Sequence, residues 1–407
     1  MDQLETLQSL SEQMGLEHAE ESRSEPAGGR VAARTASGIE TKPACFTPKA
    51  RPEFTEREQR AAFVHPAQLP NGKQVKLLKT LLSSACERDC YYCPFRAGRD
   101  FRRATFKPQE FAELFMKLHQ ANMAEGIFLS SGIAAGGANT QNKILDTAEI
   151  LRNKLGFRGY LHLKIMPGAE KGQVRRLMQL ADRVSINLEA PNTARLANLA
   201  PNKTFIEELF RPLKWVDEIR RSEPAHRGWN GRWPSTVTQF VAGGSDESDL
   251  ELLTTTDWLM KNVRLRRAYF SAFSPVRDTP MENKAAVDPM REHRLYQASF
   301  LLRDYGFDLE DMPFVQDGNL PLGTDPKLAW AEQNLKGKPL EVNRAERREL
   351  LRIPGIGPRG ADAILRARRF GKLRDLTSLK KLGIVTKRVA PFVLLDGRRM
   401  DAQLSMF

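Results

Sequence analysis

The sequence predicts an α/β protein: a large domain of alternating strands and helices, followed by a small all-α domain. Between about Lys73 and Tyr305, strand-like and helix-like segments alternate six times, the pattern of βαβ units around a parallel sheet. Three of the four cysteines stand in one short loop directly after the first of these strands. Of the net charge of +13, residues 336–400 carry +12, from 18 Lys and Arg against 6 Asp and Glu. A chain of 407 residues is long enough for both domains.

Taken in order, residues 1–16 read as a short helix with Leu4, Leu7 and Leu10 at spacing three. Segment 1–55 as a whole is expected to be flexible, because 17–43 are rich in Ser, Ala, Gly and charge. Cys45 reads as a small buried hydrophobe. The large domain is assigned to 56–316. Its strands are expected at 75–83, 126–130, 160–165, 184–188, 235–242 and 268–273. The helices that follow them are expected at 108–123, 140–155, 170–180, 203–221, 248–263 and 289–305. Residues 317–340 are rich in Pro, Gly, Asn and Asp and read as a linker. The basic domain is assigned to 341–400, with a tail at 401–407. No apolar run reaches the length of about 18 residues that a membrane span needs. The N-terminus lacks the basic start and apolar core of a secretory signal. Four cysteines, three of them clustered, point to a reducing cytoplasm rather than a disulfide framework.

The cysteine loop reads Cys86-Glu87-Arg88-Asp89-Cys90-Tyr91-Tyr92-Cys93. Thiolates are soft ligands, and iron–sulfur clusters are held by thiolates at short spacings. Three ligands leave one iron of a four-iron cluster open, as a catalytic metal site keeps a free position. A zinc site completed by a distant residue is the other reading, but zinc loops usually bring a second cysteine pair, and none is present.

The spacing C-x3-C-x2-C, with Tyr92 before the last cysteine, resembles the cluster loop of the radical S-adenosylmethionine (SAM) superfamily. The resemblance implies a [4Fe–4S] cluster on Cys86, Cys90 and Cys93, and SAM chelated to the open iron. It also implies that the six units form a partial (β/α)6 TIM-like barrel. Functional groups of parallel barrels gather at the C-terminal strand ends. Ser130-Ser131-Gly132 ends the second strand, where the superfamily carries a Gly-Gly-Glu-like motif for the SAM amino group; the acidic residue is absent here. Ser185, Asn187 and Glu189 share one face of the fourth strand and suit the ribose and methionyl groups of SAM. Lys164 ends the third strand, within reach of the SAM carboxylate or a substrate phosphate; a surface Lys is the other reading. Gln239 on the fifth strand faces the lumen in biotin-synthase-like members, and Gly243-Gly244 lets backbone approach adenine. Arg96, Arg99, Arg102 and Arg103 offer a phosphate path or ordinary solvated charge. No residue is singled out as catalytic.

In the basic domain, residues 350–365 resemble a helix-hairpin-helix. Pro354-Gly355-Ile356-Gly357 permits a tight hairpin, and the backbone amides at the next helix start suit a phosphate oxygen. Ile356 anchors the hairpin, and Arg359 and Gly360 lie at the phosphate side. A degenerate second copy keeps Gly383, has Val385 at the second glycine, and offers Lys387 and Arg388. Such contacts give affinity with little sequence reading.

The combined architecture, from about Lys73 to Arg399, resembles a family described as DNA modification or repair radical SAM proteins. That family goes with a partner resembling uracil-DNA glycosylases. The expected function is therefore radical SAM chemistry on DNA, with an external electron donor. RNA as substrate, and a non-catalytic iron–sulfur DNA-binding protein, are the alternatives.

Overall fold

The computed structural model describes residues 3–14, 64–68 and 74–400. Two compact units are present. The first takes the described residues up to Glu87, with Asp100–Val184 and Ala225–Pro234. The second takes Arg88–Arg99, Ser185–Pro224 and the chain from Ser235. The α/β class is the one the sequence predicts.

In the first unit, α1 (Gln3–Met14) buries Leu7 and Leu10. Strand β1 (Val64–Gln68) pairs antiparallel with β2 (Gln74–Leu81). Strand β2 runs parallel to β3 (Gly126–Ser130), and β3 to β4 (Tyr160–Lys164). Between them lie α2 (Pro108–Gln120) and α3 (Gly137–Glu149), and α4 (Lys171–Leu180) follows β4. Helix α2 starts on Pro108, with the Glu110 carboxylate accepting from Lys107 N at 3.3 Å. Strand β1 was not anticipated: Pro66 interrupts its pattern, and proline is tolerated only where a strand lies at an edge. Helix α3 starts three residues before the expected Thr140 and passes into a π-helical turn, Ile150–Lys154.

In the second unit, β5 (Arg183–Glu189, here from Ser185) lies beside β6 (Ser235–Ala242). The Thr238 hydroxyl donates to Ile186 O at 2.8 Å and accepts from Leu188 N at 3.3 Å. Strand β6 pairs parallel with β7 (Arg267–Ala272). The helix expected at 203–221 is present as a π-helical turn, Phe205–Phe210, running directly into α6 (Arg211–Ser222), and a further helix, α5 (Thr193–Leu199), precedes it. Asn192 starts α5 by accepting from Arg195 N at 2.9 Å, and Pro201 stops any continuation. Helices α7 (Asp249–Asn262) and α8 (Pro289–Asp304) complete the alternation. Ser248 and Glu251 cap α7 reciprocally, at 3.2 and 2.9 Å.

Two expectations are corrected. The linker at 317–340 contains a helix, α9 (Pro326–Asn334). Asp325 accepts from Leu328 N at 2.9 Å and Pro326 takes the first helical position. The C-terminal part is not all-α. Beside α10 (Arg347–Arg352), α11 (Pro358–Ala367), α12 (Leu376–Lys381) and α13 (Thr386–Val389), it has a three-stranded sheet. That sheet comprises β8 (Leu340–Glu341), β9 (Val393–Leu395) and β10 (Arg398–Arg399), in the order β10-β9-β8. Asp396 and Gly397 both take positive φ, 53° and 77°, as a two-residue hairpin turn requires. Ala331 and Leu335 from the α9 segment join Leu350, Ile353, Ile356, Ile364, Leu379, Ile384 and Val393 in one core. Of segment 1–55 only 3–14 is described, as helix; Cys45 and 401–407 lie outside the described residues.

Arg152 in the π-helical turn is buried and donates to Leu180 O, Phe157 O, Gly159 O and the Asp182 carboxylate at 2.8–3.0 Å. Its guanidinium also lies 3.9 Å from the centroid of a Trp229 ring. Removing one partner of such a buried charge costs about 3–5 kcal/mol, because the other is left unpaired. Arg152→Met should therefore lower stability by about that amount in urea denaturation.

Candidate functional site

The cysteine loop leaves β2. In the first unit, Cys86 is a half-buried free thiol. Its surroundings are fixed by backbone: Glu87 N donates to Ile133 O at 2.7 Å, Leu82 N to Ser130 O at 2.8 Å, and Gly132 N to Ser83 O at 2.6 Å. A Cβ on Gly132 would meet Ala85 O at 2.3 Å and the Cys86 Cβ at 3.2 Å. The glycine of Ser130-Ser131-Gly132 is thus required by the close passage of the cysteine loop. The Ser131 hydroxyl donates to Gly132 O at 2.8 Å. Lys164 does not reach the surface. It is 7% exposed, with its Nζ 5.7 Å from the Phe128 ring centroid, and Lys79 lies 5.9 Å from the same ring.

In the second unit, Cys90 is buried and Cys93 half-buried, neither in a disulfide. The segment after α5 clasps this loop. Arg88 donates to Asn202 O at 2.5 Å and pairs with Glu208 at 2.5 Å. Asn202 donates to the Asp89 carboxylate at 2.7 Å, and Tyr91 N to Leu199 O at 2.8 Å. Phe95 N points to the Cys93 Sγ at 3.4 Å. Among the polar residues expected on β5, Ser185 and Glu189 are buried and Asn187 is half-buried. Glu189 has φ 66°, a left-handed conformation that a non-glycine residue holds only when its surroundings demand it. One carboxylate oxygen accepts from Lys203 Nζ at 3.1 Å; the other is buried without a hydrogen-bond partner among the described residues. Burial, then Glu189 and the Cys90 and Cys93 thiols, push the Tyr92 phenol well above its usual range. Burial alone would lower Lys203, but Cys90, Glu189 and Cys93 outweigh it and keep the ammonium charged. Gln239 is 8% exposed on β6.

Two of these readings gain geometry, and three residues were missed. Close packing requires glycine at Gly243-Gly244, because a Cβ on Gly243 would meet Val287 Cγ2 at 2.4 Å and one on Gly244 would meet Leu199 Cδ2 at 2.7 Å. Arg99 donates to Arg277 O and Pro94 O, Arg96 to Asp89 O, and Arg103 to Ser84 O, so these arginines brace backbone. Lys203, Asn202 and Glu208 were missed. They follow a Pro-Asn break, and nothing local in the sequence ties them to cysteines more than a hundred residues earlier.

Among the described residues, no three His, Cys, Asp or Glu side chains converge on a position for a single metal ion. The donor set and the partnerless Glu189 oxygen fit a thiolate-held cluster with a polar ligand nearby.

In the C-terminal core, Gly355 has φ 87° and Ile356 is buried. Gly357 caps α11 with extended backbone, φ −100°, where a Cβ would meet only Tyr305 Oη at 3.3 Å. The hairpin thus depends on glycine at Gly355, where a Cβ would meet the Arg388 Cβ at 3.0 Å. Arg359 is exposed, Gly360 half-buried and Lys387 exposed. Arg388, expected at a phosphate, instead pairs with Asp325 at 2.5 Å. Lys327 donates to Ile356 O at 2.6 Å and lies over the Tyr305 ring.

Residues 80–222 match the family model of the Radical SAM superfamily. Over this stretch the chain is similar to that superfamily, whose members use a [4Fe–4S] cluster and SAM. No curated protein matches the chain. Among solved structures, it is similar to HydG, a maturase of the [FeFe]-hydrogenase, at 10% identity and TM-score 0.44, covering 56% of this chain and 49% of that one. Methylornithine synthase (PylB) gives 14% identity and TM-score 0.43, with 56% and 63% covered. Coproporphyrinogen III oxidase (HemN) from Escherichia coli gives 15% identity and TM-score 0.38, with 62% and 56% covered. The chain spans between about half and two thirds of the length of these proteins. Among the described residues no helix is long and apolar enough to cross a membrane.

Burial, against which Asp325 acts and with which Arg388 acts, lowers the Lys327 ammonium to about 7. An unfolded chain keeps that proton up to the ordinary Lys range, so between about pH 7 and 10 it binds more protons than the folded chain. Stability contributed at this position should therefore rise as pH rises from 7. In denaturant titrations at pH 6 and pH 9, Lys327→Met should gain less stability between the two pH values than wild type.

Proposed function

We propose that this chain is a radical SAM enzyme acting on DNA, in base modification or repair. The observation that carries the reading is the three-cysteine loop Cys86, Cys90 and Cys93 inside the matched domain, with a separately cored basic module downstream. In this reading the strand–helix units curl into a partial barrel. Cys86, Cys90 and Cys93 hold the cluster. Glu189, Asn187, Ser185 and Gln239 orient SAM, the partnerless Glu189 oxygen accepting from its ammonium or ribose. When bound, cluster and SAM together supply a 5′-deoxyadenosyl radical, which removes hydrogen atoms that acid–base chemistry leaves in place. The protein supplies orientation and exclusion of water. An external reductant supplies the electron.

The basic module is proposed to be a helix-hairpin-helix clamp. The amides of Gly357, Arg359 and Gly360 face a phosphate oxygen at the start of α11, with Arg359 adding charge. A base acted on in a duplex must then be flipped from the stack. A partner resembling a uracil-DNA glycosylase would act on the same substrate.

Anaerobic reconstitution with reductant and SAM should give one four-iron cluster per chain and 5′-deoxyadenosine. Cys86→Ala, Cys90→Ala and Cys93→Ala should each lose both, whereas Cys45→Ala should keep the cluster spectrum. Survival of the cluster in any of the three would break the ligand assignment.

In mobility shifts, the full chain should bind duplex DNA almost independently of sequence. Salt should weaken it with a log–log slope of about −0.9 per phosphate contact. Gly355→Val should weaken binding strongly and Gly357→Ala mildly, since only Gly355 takes positive φ. Preference for folded RNA over duplex DNA would move the substrate to RNA. Binding indifferent to salt would remove the clamp.

A further inference from the structure

The cysteine loop is held by a segment that also brings a buried charge pair to it. Arg88, Asp89 and Tyr91 are tied to Leu199, Asn202 and Glu208 by four hydrogen bonds or ion pairs of 2.5–2.8 Å. Lys203 lies inside this clasp, its own N–H bound to Ala200 O at 2.9 Å. Its ammonium meets the Glu189 carboxylate at 3.1 Å, with side chains only 9% and 6% exposed. A buried ion pair is weak evidence for stability, since two packed apolar residues often do as well. What such a pair supplies is a fixed field in a region of low dielectric. Lys203 interacts with the sulfurs of both Cys90 and Cys93.

We infer that Lys203 and Glu189 form an oriented charge pair that sets the reduction potential of the cluster held at Cys90 and Cys93. This inference rests on the cluster reading above. Reduction adds one electron to a thiolate-ligated cluster and makes it more negative. The Lys203 charge favours that state, and the Glu189 charge opposes it. Cluster potentials respond to net charge, hydrogen bonds to sulfur and solvent exposure. Lys203 is thus a positioning residue for the electron, fixed by the loop clasp and by the left-handed backbone at Glu189.

The test is a redox titration of the reconstituted full chain, read by electron paramagnetic resonance without SAM. Lys203→Met should move the midpoint to more negative potential. The reduced-to-oxidised ratio at fixed potential should fall at least tenfold, equivalent to 59 mV for a one-electron couple. Glu189→Gln should move it the opposite way, and Lys203→Arg, which keeps the charge, should stay near wild type. A merely structural pair would give no such opposite signs. If Lys203→Met fails to hold iron, Glu189→Gln and Lys203→Arg still decide. An intact cluster whose potential ignores Glu189→Gln, or two single variants that shift in the same direction, overturns the inference alone. A wild-type chain that takes up no cluster sinks the cluster reading and this inference with it.

Discussion

The loop from Arg88 to Arg99 carries Cys90 and Cys93, and the bonds that hold its backbone in place explain much of the second unit. Part of the bracing is internal: Ala97 N donates to Arg88 O at 2.7 Å, and the Arg96 and Arg99 side chains donate to Asp89 O and Pro94 O. The rest is imported. Arg88 reaches Asn202 O and Glu208, and Asn202 reaches back to Asp89. The broken helix at 199–210 is the structural consequence. An unbroken helix would spend the Leu199 carbonyl within its own ladder, whereas here it accepts from Tyr91 N. Pro201 and the π-helical turn are the devices that keep that backbone available.

Two buried charge networks show how a charged group is answered on several arms. Arg152 is answered by three carbonyls and Asp182. Arg291 is answered by the Asp249 carboxylate and Glu247 O, while the Glu247 carboxylate accepts from Ser245 N and its hydroxyl. One Glu189 oxygen is buried with no hydrogen-bond partner among the described residues, as is Arg88 Nε. A buried polar atom left unsatisfied in a native fold calls for an explanation, and a ligand is one.

The parts legible in the sequence are those written locally. Alternation of period two against 3.6 placed the strands and helices of both units, with β3 and β6 matching at both ends. The cysteine spacing and the Pro-Gly hairpin are likewise local signals. What was illegible depends on tertiary placement. Strand β1 carries a proline in its centre, and only its partner β2 makes it a strand. Helix α9 sits in a stretch whose Pro, Gly and Asn content reads as linker, yet its Asp325 cap is present in the sequence and was outweighed by composition. Strand β9 leads into Asp396-Gly397, a two-residue turn signal present in the sequence that the all-α expectation passed over. Lys203 carried no signal at all, since its meaning lies in two residues remote in sequence, Glu189 and Cys90.

The C-terminal module has two glycines in positive φ, Gly355 and Gly383, whose surroundings differ. The first hairpin is supported from beneath, with Lys327 of α9 donating to Ile356 O and Tyr305 lying under Lys327. The second contributes Arg388 to an ion pair with Asp325, the residue that caps α9. Arg388 therefore ties the second copy to the helix that props up the first. A charge committed in this way is no longer wholly available to a phosphate, and a second hairpin with Val385 half-exposed in place of glycine has little else to offer one. Any phosphate binding by the module thus falls mainly on the amides at the start of α11, with the second copy acting as their foundation.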